Sequence, residues 1–141
     1  MLFAILAVVS FATFAGVPKF SYVLTSKGIV YATKLNMGMY NTRIVTSDGE
    51  RRSINNDDIY GYCKNGNVYM KMPEMQDNKP TGKTVWMELL AVRNGFSIYK
   101  YDSFLPSGQA VTDFYIFEDE RYVLQLDEKN TANVLSFFGL K

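Results

Sequence analysis

Along most of the chain, apolar and polar positions alternate in short runs, and each run ends at residues suited to a tight turn. Alternation with a period of two marks half-buried strands. The clearest case is VWMELLAVRNGFSIYKYDSF, residues 85–104. Asn94-Gly95 divides it, and both residues tolerate the positive φ that a type I′ turn needs at its two central positions. With that pair in the turn, Arg93 faces Phe96, Val92 faces Ser97, Ala91 faces Ile98 and Leu90 faces Tyr99. Val85, Met87, Leu89, Ala91, Phe96 and Ile98 then share one face. Trp86, Leu90, Val92, Tyr99 and Tyr101 share the other, with Glu88 among them. A strand pair apolar on both faces is covered on both. The hairpin is therefore expected in the middle of a sheet that curls into a barrel or packs as a sandwich.

The same pattern recurs. Residues 22–35 read as a hairpin turning at Lys27-Gly28, and 42–54 as one turning at Asp48-Gly49, with 36–41 as a connector between them. The Asn/Asp cluster of 54–59 is a turn. Residues 59–72 form a hairpin about Asn65-Gly66. Its register pairs Cys63 with Val68, Gly61 with Met70 and Ile59 with Met72 on a core-like face. Tyr62 with Tyr69, and Tyr60 with Lys71, fall on an aromatic, half-wet face. Two prolines, a glycine and several polar residues make 73–83 a long exposed loop and a contact site. After a further loop at 105–112, residues 114–127 form a hairpin with the acidic turn Glu118–Glu120.

The period then changes. Thr131, Val134, Leu135 and Phe138 fall on one helical stripe, with Asp127 placed to cap it and Gly139 to end it. The reading is an all-β fold, mainly antiparallel hairpins in a curled sheet, barrel or sandwich, with a short C-terminal α-helix over a sheet edge or barrel end.

Residues 1–17 carry no charge, and Leu2–Val9 has the length of a signal-peptide core. Thr13-Phe14-Ala15 fits a cleavage site, although no basic residue precedes the apolar run. The expected organisation is a signal peptide at 1–15 and a single domain at 16–141, exported to the periplasm or medium. A membrane anchor is the alternative, for which the run is slightly short of the roughly 20 residues that span a bilayer.

Composition removes several chemistries. The 141 residues contain no histidine, so His-based triads and His metal ligands are excluded within the chain. One cysteine, Cys63, excludes an internal disulfide and a Cys-cluster zinc site. With no base to activate it, Cys63 reads as a buried structural thiol. A formal net charge of +1 carries no nucleic-acid signature.

Gly82-Lys83-Thr84 ends like a phosphate loop but lacks the first glycine, with Asp77 in its place, and a strand follows instead of a helix. The carboxylates Asp57, Asp58, Glu118, Asp119, Glu120, Asp127 and Glu128 sit in turns or at the helix start, where they have local backbone roles. Glu88 is the one mid-strand acid, expected in a salt bridge or at a wet edge. Arg51-Arg52 reads as a small solvated basic spot. The chain is rich in Tyr and Phe, ten of each, and Tyr60, Tyr62, Tyr69, Tyr99 and Tyr101 are the candidate binding face, set against ordinary packing.

The ordered series YVLTSKGIVYATKL, an Asp-Gly turn, DDIYGY, ELLAVRNGFSIYKY and FYIFEDERYVLQLDEKN resembles small signal-peptide-bearing, β-rich exported proteins of Bacteroidota, an uncharacterised family of unknown function. The likeness covers most of the chain after the leader and departs at Gly28-Ile29-Val30, where that pattern has Gly-Asp-Thr. It implies export, a β-rich fold and residence in a bacterial envelope, and supplies no catalytic residues. The expectation is a non-enzymatic module without cofactor, binding an envelope protein or glycan through a sheet face or the 73–83 loop. A small-ligand carrier with a barrel cavity is the alternative, and a carboxylate-dependent hydrolase is a third reading.

Overall fold

The computed structural model describes residues 21–140, so the expected signal peptide lies outside the described residues. Eleven strands follow in chain order. They are β1 (Ser21–Thr25), β2 (Gly28–Ala32), β3 (Lys34–Met37), β4 (Asn41–Val45), β5 (Arg51–Asn55), β6 (Ile59–Lys64), β7 (Asn67–Gln76), β8 (Lys79–Arg93), β9 (Phe96–Phe104), β10 (Ala110–Glu118) and β11 (Arg121–Gln125). Among the described residues, a 3-10 turn, Asn56–Asp58, precedes β6, and a helix, α1 (Thr131–Phe137), comes last. All described strand pairs are antiparallel. The chain divides into two compact units, one ending at Lys71 and one starting at Met72.

In the N-terminal unit, β7, β6, β1 and β2 form one sheet in that order, and β3, β4 and β5 form another. β1 is buried along its whole length, and Tyr22, Val23 and Leu24 are the most enclosed of its residues. The hairpin at Asn65-Gly66 has the expected register, with Cys63 opposite Val68, Tyr62 opposite Tyr69 and Gly61 opposite Met70. Gly61 is tightly packed. A Cβ there would lie 2.7 Å from Met70 Sδ and 3.0 Å from Leu24 Cδ1.

The first hairpin differs from the sequence reading. It turns at Ser26-Lys27, with Thr25 opposite Gly28, and ends at Ala32. The polar break at Thr33 lets Lys34–Met37 leave as β3 and pair with β4 in the second sheet. The connector expected at 36–41 shrinks to a tight turn at Gly38–Tyr40, closed by the Gly38 amide donating to the Asn41 carbonyl at 3.0 Å.

The C-terminal unit orders its strands β11, β10, β9, β8 and the second half of β7. Each unit's strand order has two ends, so the sheets are open and no closed barrel forms. Ile98, Ile116 and Leu126 form a core cluster on one face of this sheet, covered by Val134, Leu135, Phe138 and Leu140. Helix α1 therefore lies on the face of the sheet. Asp127 accepts from the Lys129 and Asn130 amides at 2.8 and 2.9 Å, which starts the turn before α1. Gly139, at φ 75°, ends the helix. Its amide donates to the Ser136 carbonyl at 3.0 Å and the Leu140 amide to the Leu135 carbonyl at 2.8 Å, a Schellman closure.

Asn94-Gly95 turns as expected, and Arg93–Phe96, Val92–Ser97 and Ala91–Ile98 are opposed. The next pair is Leu89 with Tyr99, because Leu90 is an extra residue in a bulge. The bulge shifts the earlier part of β8 by one, so Leu89 joins the row of Tyr99 and Tyr115, while Leu90 and Ala91 both pack under the helix. Alternation cannot signal this, because both neighbours are leucines.

Residues 73–83 are not a loop. β7 and β8 continue through them and turn at Asp77-Asn78, whose φ values of 51° and 63° give a two-residue turn with both central residues left-handed. The prolines fit because β6 pairs β7 only as far as Met70, and β9 pairs β8 only from Glu88. Pro73 and Pro80 thus lack a second neighbouring strand that would need their missing N–H. Among the described residues, no helix is long and apolar enough to cross a membrane.

Candidate functional site

The tyrosines expected to form one binding face are distributed over both units. Tyr60, Tyr62 and Tyr69 belong to the N-terminal unit, Tyr99 and Tyr101 to the C-terminal unit. Tyr62 and Tyr69 oppose each other across β6 and β7, and their rings stack at 4.9 Å with planes 17° apart. One ring face of each is thereby covered by the other. Burial, with the neighbouring Tyr69, pushes the Tyr62 hydroxyl up to about 12. Tyr99 is only 4% exposed, edge-on to Phe117, and burial likewise pushes it up to about 12. Tyr60 and Tyr101 are half-buried.

The other candidates have local roles. Cys63 is buried opposite Tyr22, and burial raises its thiol, which disfavours the reactive thiolate. Glu88 opposes Lys100 and lies 3.7 Å from its Nζ. Glu118 pairs with Arg121 at 2.6 Å. Gly82-Lys83-Thr84 runs inside β8. Among the described residues, no group of three Cys, Asp or Glu stands where it could hold a metal ion.

A different surface emerges from the second sheet of the N-terminal unit. The register aligns Lys34, Val45 and Arg51 in one row across β3, β4 and β5, and Asn36, Arg43 and Ser53 in the next row of the same face. Except for the half-buried Val45, all six are exposed. The opposite face carries the buried Leu35, Ile44 and Thr42. A one-residue slip would invert both faces, so burial of these three residues fixes the cations outward.

The turn at the end of this face is anchored. Thr42 Oγ1 donates to Asn56 Oδ1 at 2.7 Å, and Asn56 Nδ2 donates to the carbonyls of Gly38 and Met39 at 2.8 and 3.2 Å. The outer face holds an open depression of about 460 Å³, bordered by the polar Lys34, Asn36, Arg43, Arg51, Arg52 and Ser53 and by the apolar Leu35, Ile44 and Val45. Among the described residues, Lys34, Arg43, Arg51 and Arg52 form no ion pair. Sequence reading missed this surface because its cations lie on three separate strands. Arg51 adjoins Arg52 in the sequence, but Arg52 falls opposite Ile44 in the row of the other face, and the near-neutral total hides the rest.

Among the described residues, no acid of this unit forms an ion pair with these cations. Asp48 is held within its own turn, accepting from Thr46 Oγ1 and the Glu50 amide. Those hydrogen bonds, Thr46 first, lower its carboxyl below the usual range. No protein-family model, no curated protein and no solved structure matches the chain.

Proposed function

We propose that this chain is a non-catalytic binding module of an exported protein, and that it holds an acidic protein partner on the outer face of β3, β4 and β5. The observation that carries the reading is the alignment of Lys34, Arg43 and Arg51 on one exposed sheet face without an internal counter-ion among the described residues. Arg offers a planar fork that fits a carboxylate with two hydrogen bonds, and Asn36 and Ser53 add neutral donors beside it. A protein partner is favoured over a glycan because the patch carries no aromatic ring, whereas sugars are gripped by stacking. The carrier reading needs an enclosed cavity, and this depression is open. The exported placement rests on the uncharged apolar residues 1–17.

The test is a photocrosslinking residue at Ser53, used in the native host. A protein captured by the natural face, and lost when Lys34→Glu, Arg43→Glu and Arg51→Glu are introduced, supports the reading. Capture that survives the three reversals overturns it. So does capture of no protein together with binding to a polyuronate that the reversals abolish. N-terminal sequencing by cell fraction tests the placement. A mature form starting near Gly16 outside the cytoplasm supports export, and a full-length soluble form inside overturns it.

A further inference from the structure

Both sheets of the N-terminal unit end at the same groove. β2 is the last strand of one sheet and β5 the last strand of the other. A groove of about 520 Å³ is lined by Thr25–Val30 on one side and by Arg52–Asn55 on the other, with Asp58. Three strand residues stand on each wall, Gly28–Val30 of β2 and Ser53–Asn55 of β5.

An end strand presents a row of backbone N–H and C=O groups that no neighbouring strand pairs, and natural sheets protect such rows with charge, proline or a covering element. β2 has none of the first two. From Gly28 to Ala32 it holds no charge and no proline, and Ile29 and Tyr31 are 36% and 54% exposed. The walls also differ from a neutral cleft. Lys27 stands on one and Arg52 on the other, neither in an ion pair among the described residues, against the single acid Asp58. Arg52 and Ser53 border both this groove and the outer-face depression, so the two sites adjoin.

Resting on the docking face proposed above, we infer that the groove takes an extended acidic segment of the partner as an added β-strand. The segment pairs with β2 on one side and β5 on the other, and makes one sheet of two. Backbone hydrogen bonds supply the binding, and Lys27, Arg52 and the cations of the outer face select acidic side chains.

The test uses a capped hexapeptide of alternating valine and glutamate, its N-methylated form, which lacks alternate amide donors, and the valine–lysine counterpart. The valine–glutamate peptide is expected to bind and to slow amide exchange in both Gly28–Val30 and Ser53–Asn55. N-methylation is expected to weaken binding about tenfold or more, each tenfold step being about 1.4 kcal/mol. The lysine peptide is expected to bind more weakly still. Ile29→Lys, at a residue 36% exposed, gives the edge the protection it lacks and lowers affinity for an uncharged valine–threonine peptide, with circular dichroism checking that the fold is kept.

Binding that N-methylation leaves unchanged overturns strand addition and leaves the docking face standing. Failure of every peptide, with the crosslinked partner still captured at Ser53, does the same. Loss of both takes the docking face down as well. A dimer in sedimentation that Ile29→Lys dissolves and the peptide does not would give the edge to a second copy and also overturn the inference.

Discussion

The two units use charge in opposite ways. Between residues 21 and 71 there are seven Lys and Arg against four Asp and Glu, and between 72 and 140 there are six against ten. In the C-terminal unit three of the six cations have a charged or aromatic partner. Lys100 lies between Glu88 and Asp102, Arg121 meets Glu118, and Arg93 both covers the Phe137 ring at 4.7 Å and donates to the Phe137 carbonyl. In the N-terminal unit Lys71 donates to the Asn56 carbonyl at 2.7 Å, whereas Lys34, Arg43, Arg51 and Arg52 point to solvent without a counter-ion among the described residues. Charge that is paired inside a unit fixes registers and holds a helix down. Charge left unpaired on a rigid face is free to meet a partner. The near-zero total conceals this division.

Alkaline pH should give the largest effect and bears on what both units share, a core with buried tyrosines. Burial pushes Tyr62, Tyr99 and Tyr115 up to about 12, and it raises Tyr22 as well. In the unfolded chain they ionise near 10. Between about pH 10 and 12 the unfolded chain loses protons that the folded chain keeps. Their stabilisation is therefore complete below pH 10 and is lost as pH rises toward 12. A tenfold difference in acidity between the folded and unfolded chain is worth about 1.4 kcal/mol, so Tyr99 and Tyr115 each account for a few kcal/mol.

The units should separate in their response to salt. After burial, and a hydrogen bond with Ser97 that acts in the opposite sense, Tyr99 feels Glu120; after burial Tyr115 feels Asp113, whereas Tyr62 feels its stacking partner Tyr69. Urea midpoints across this range should fall less in the Tyr99→Phe and Tyr115→Phe double variant. Added salt should restore part of the loss in the natural chain and less in that variant. An equal salt response in both would break the contrast.

Core truncation comes next. Phe117→Ala removes a fully buried ring and should cost about 3–5 kcal/mol, and Ile44→Ala about 2–5 kcal/mol. Amide exchange at neutral pH should show the first loss mainly in β9 and β10 and the second mainly in β3 to β5. A uniform loss over all strands would mean that the two units open together and that the division has no energetic counterpart. Gly139→Ala is smaller. A φ of 75° is strained for alanine, so about 1 kcal/mol is expected, read as faster exchange of the Gly139 and Leu140 amides. No change would mean that the covering helix does not depend on its closing turn.

Turn chemistry was the most legible part of the sequence. Asn65-Gly66 and Asn94-Gly95 each dictated a register, because only residues tolerant of positive φ fit there. Asp77-Asn78 does the same without a glycine, and the flanking prolines masked it, since proline excludes a strand only where a second neighbour needs its N–H. The bulge at Leu90 was hidden by two adjacent leucines, either of which satisfies the core. The division between units falls inside β7, where no linker composition marks it. The basic face was illegible for a different reason. Lys34, Arg43 and Arg51 come together only through cross-strand pairing, and that pairing depends on β3 leaving the first hairpin.

The smallest stability effect carries the sharpest argument. Lys34 and Arg51 flank Val45 across β4, and Arg43 is two residues along the same face. Two strand spacings are about 10 Å, close to the screening length at physiological salt, so the three cations repel one another weakly through water. Changing all three to glutamine should shift stability by no more than about 0.5 kcal/mol, toward greater stability at low salt. Arg121→Gln in the other unit removes an exposed ion pair and should cost between about 0 and 1 kcal/mol. The opposite signs in low salt are the test, read as thermal midpoints. If the triple change destabilises by more than about 1 kcal/mol, the cations serve the fold and the docking face loses its basis. If the fold is unmoved while capture of the partner is lost, these cations have been kept on the surface for binding alone.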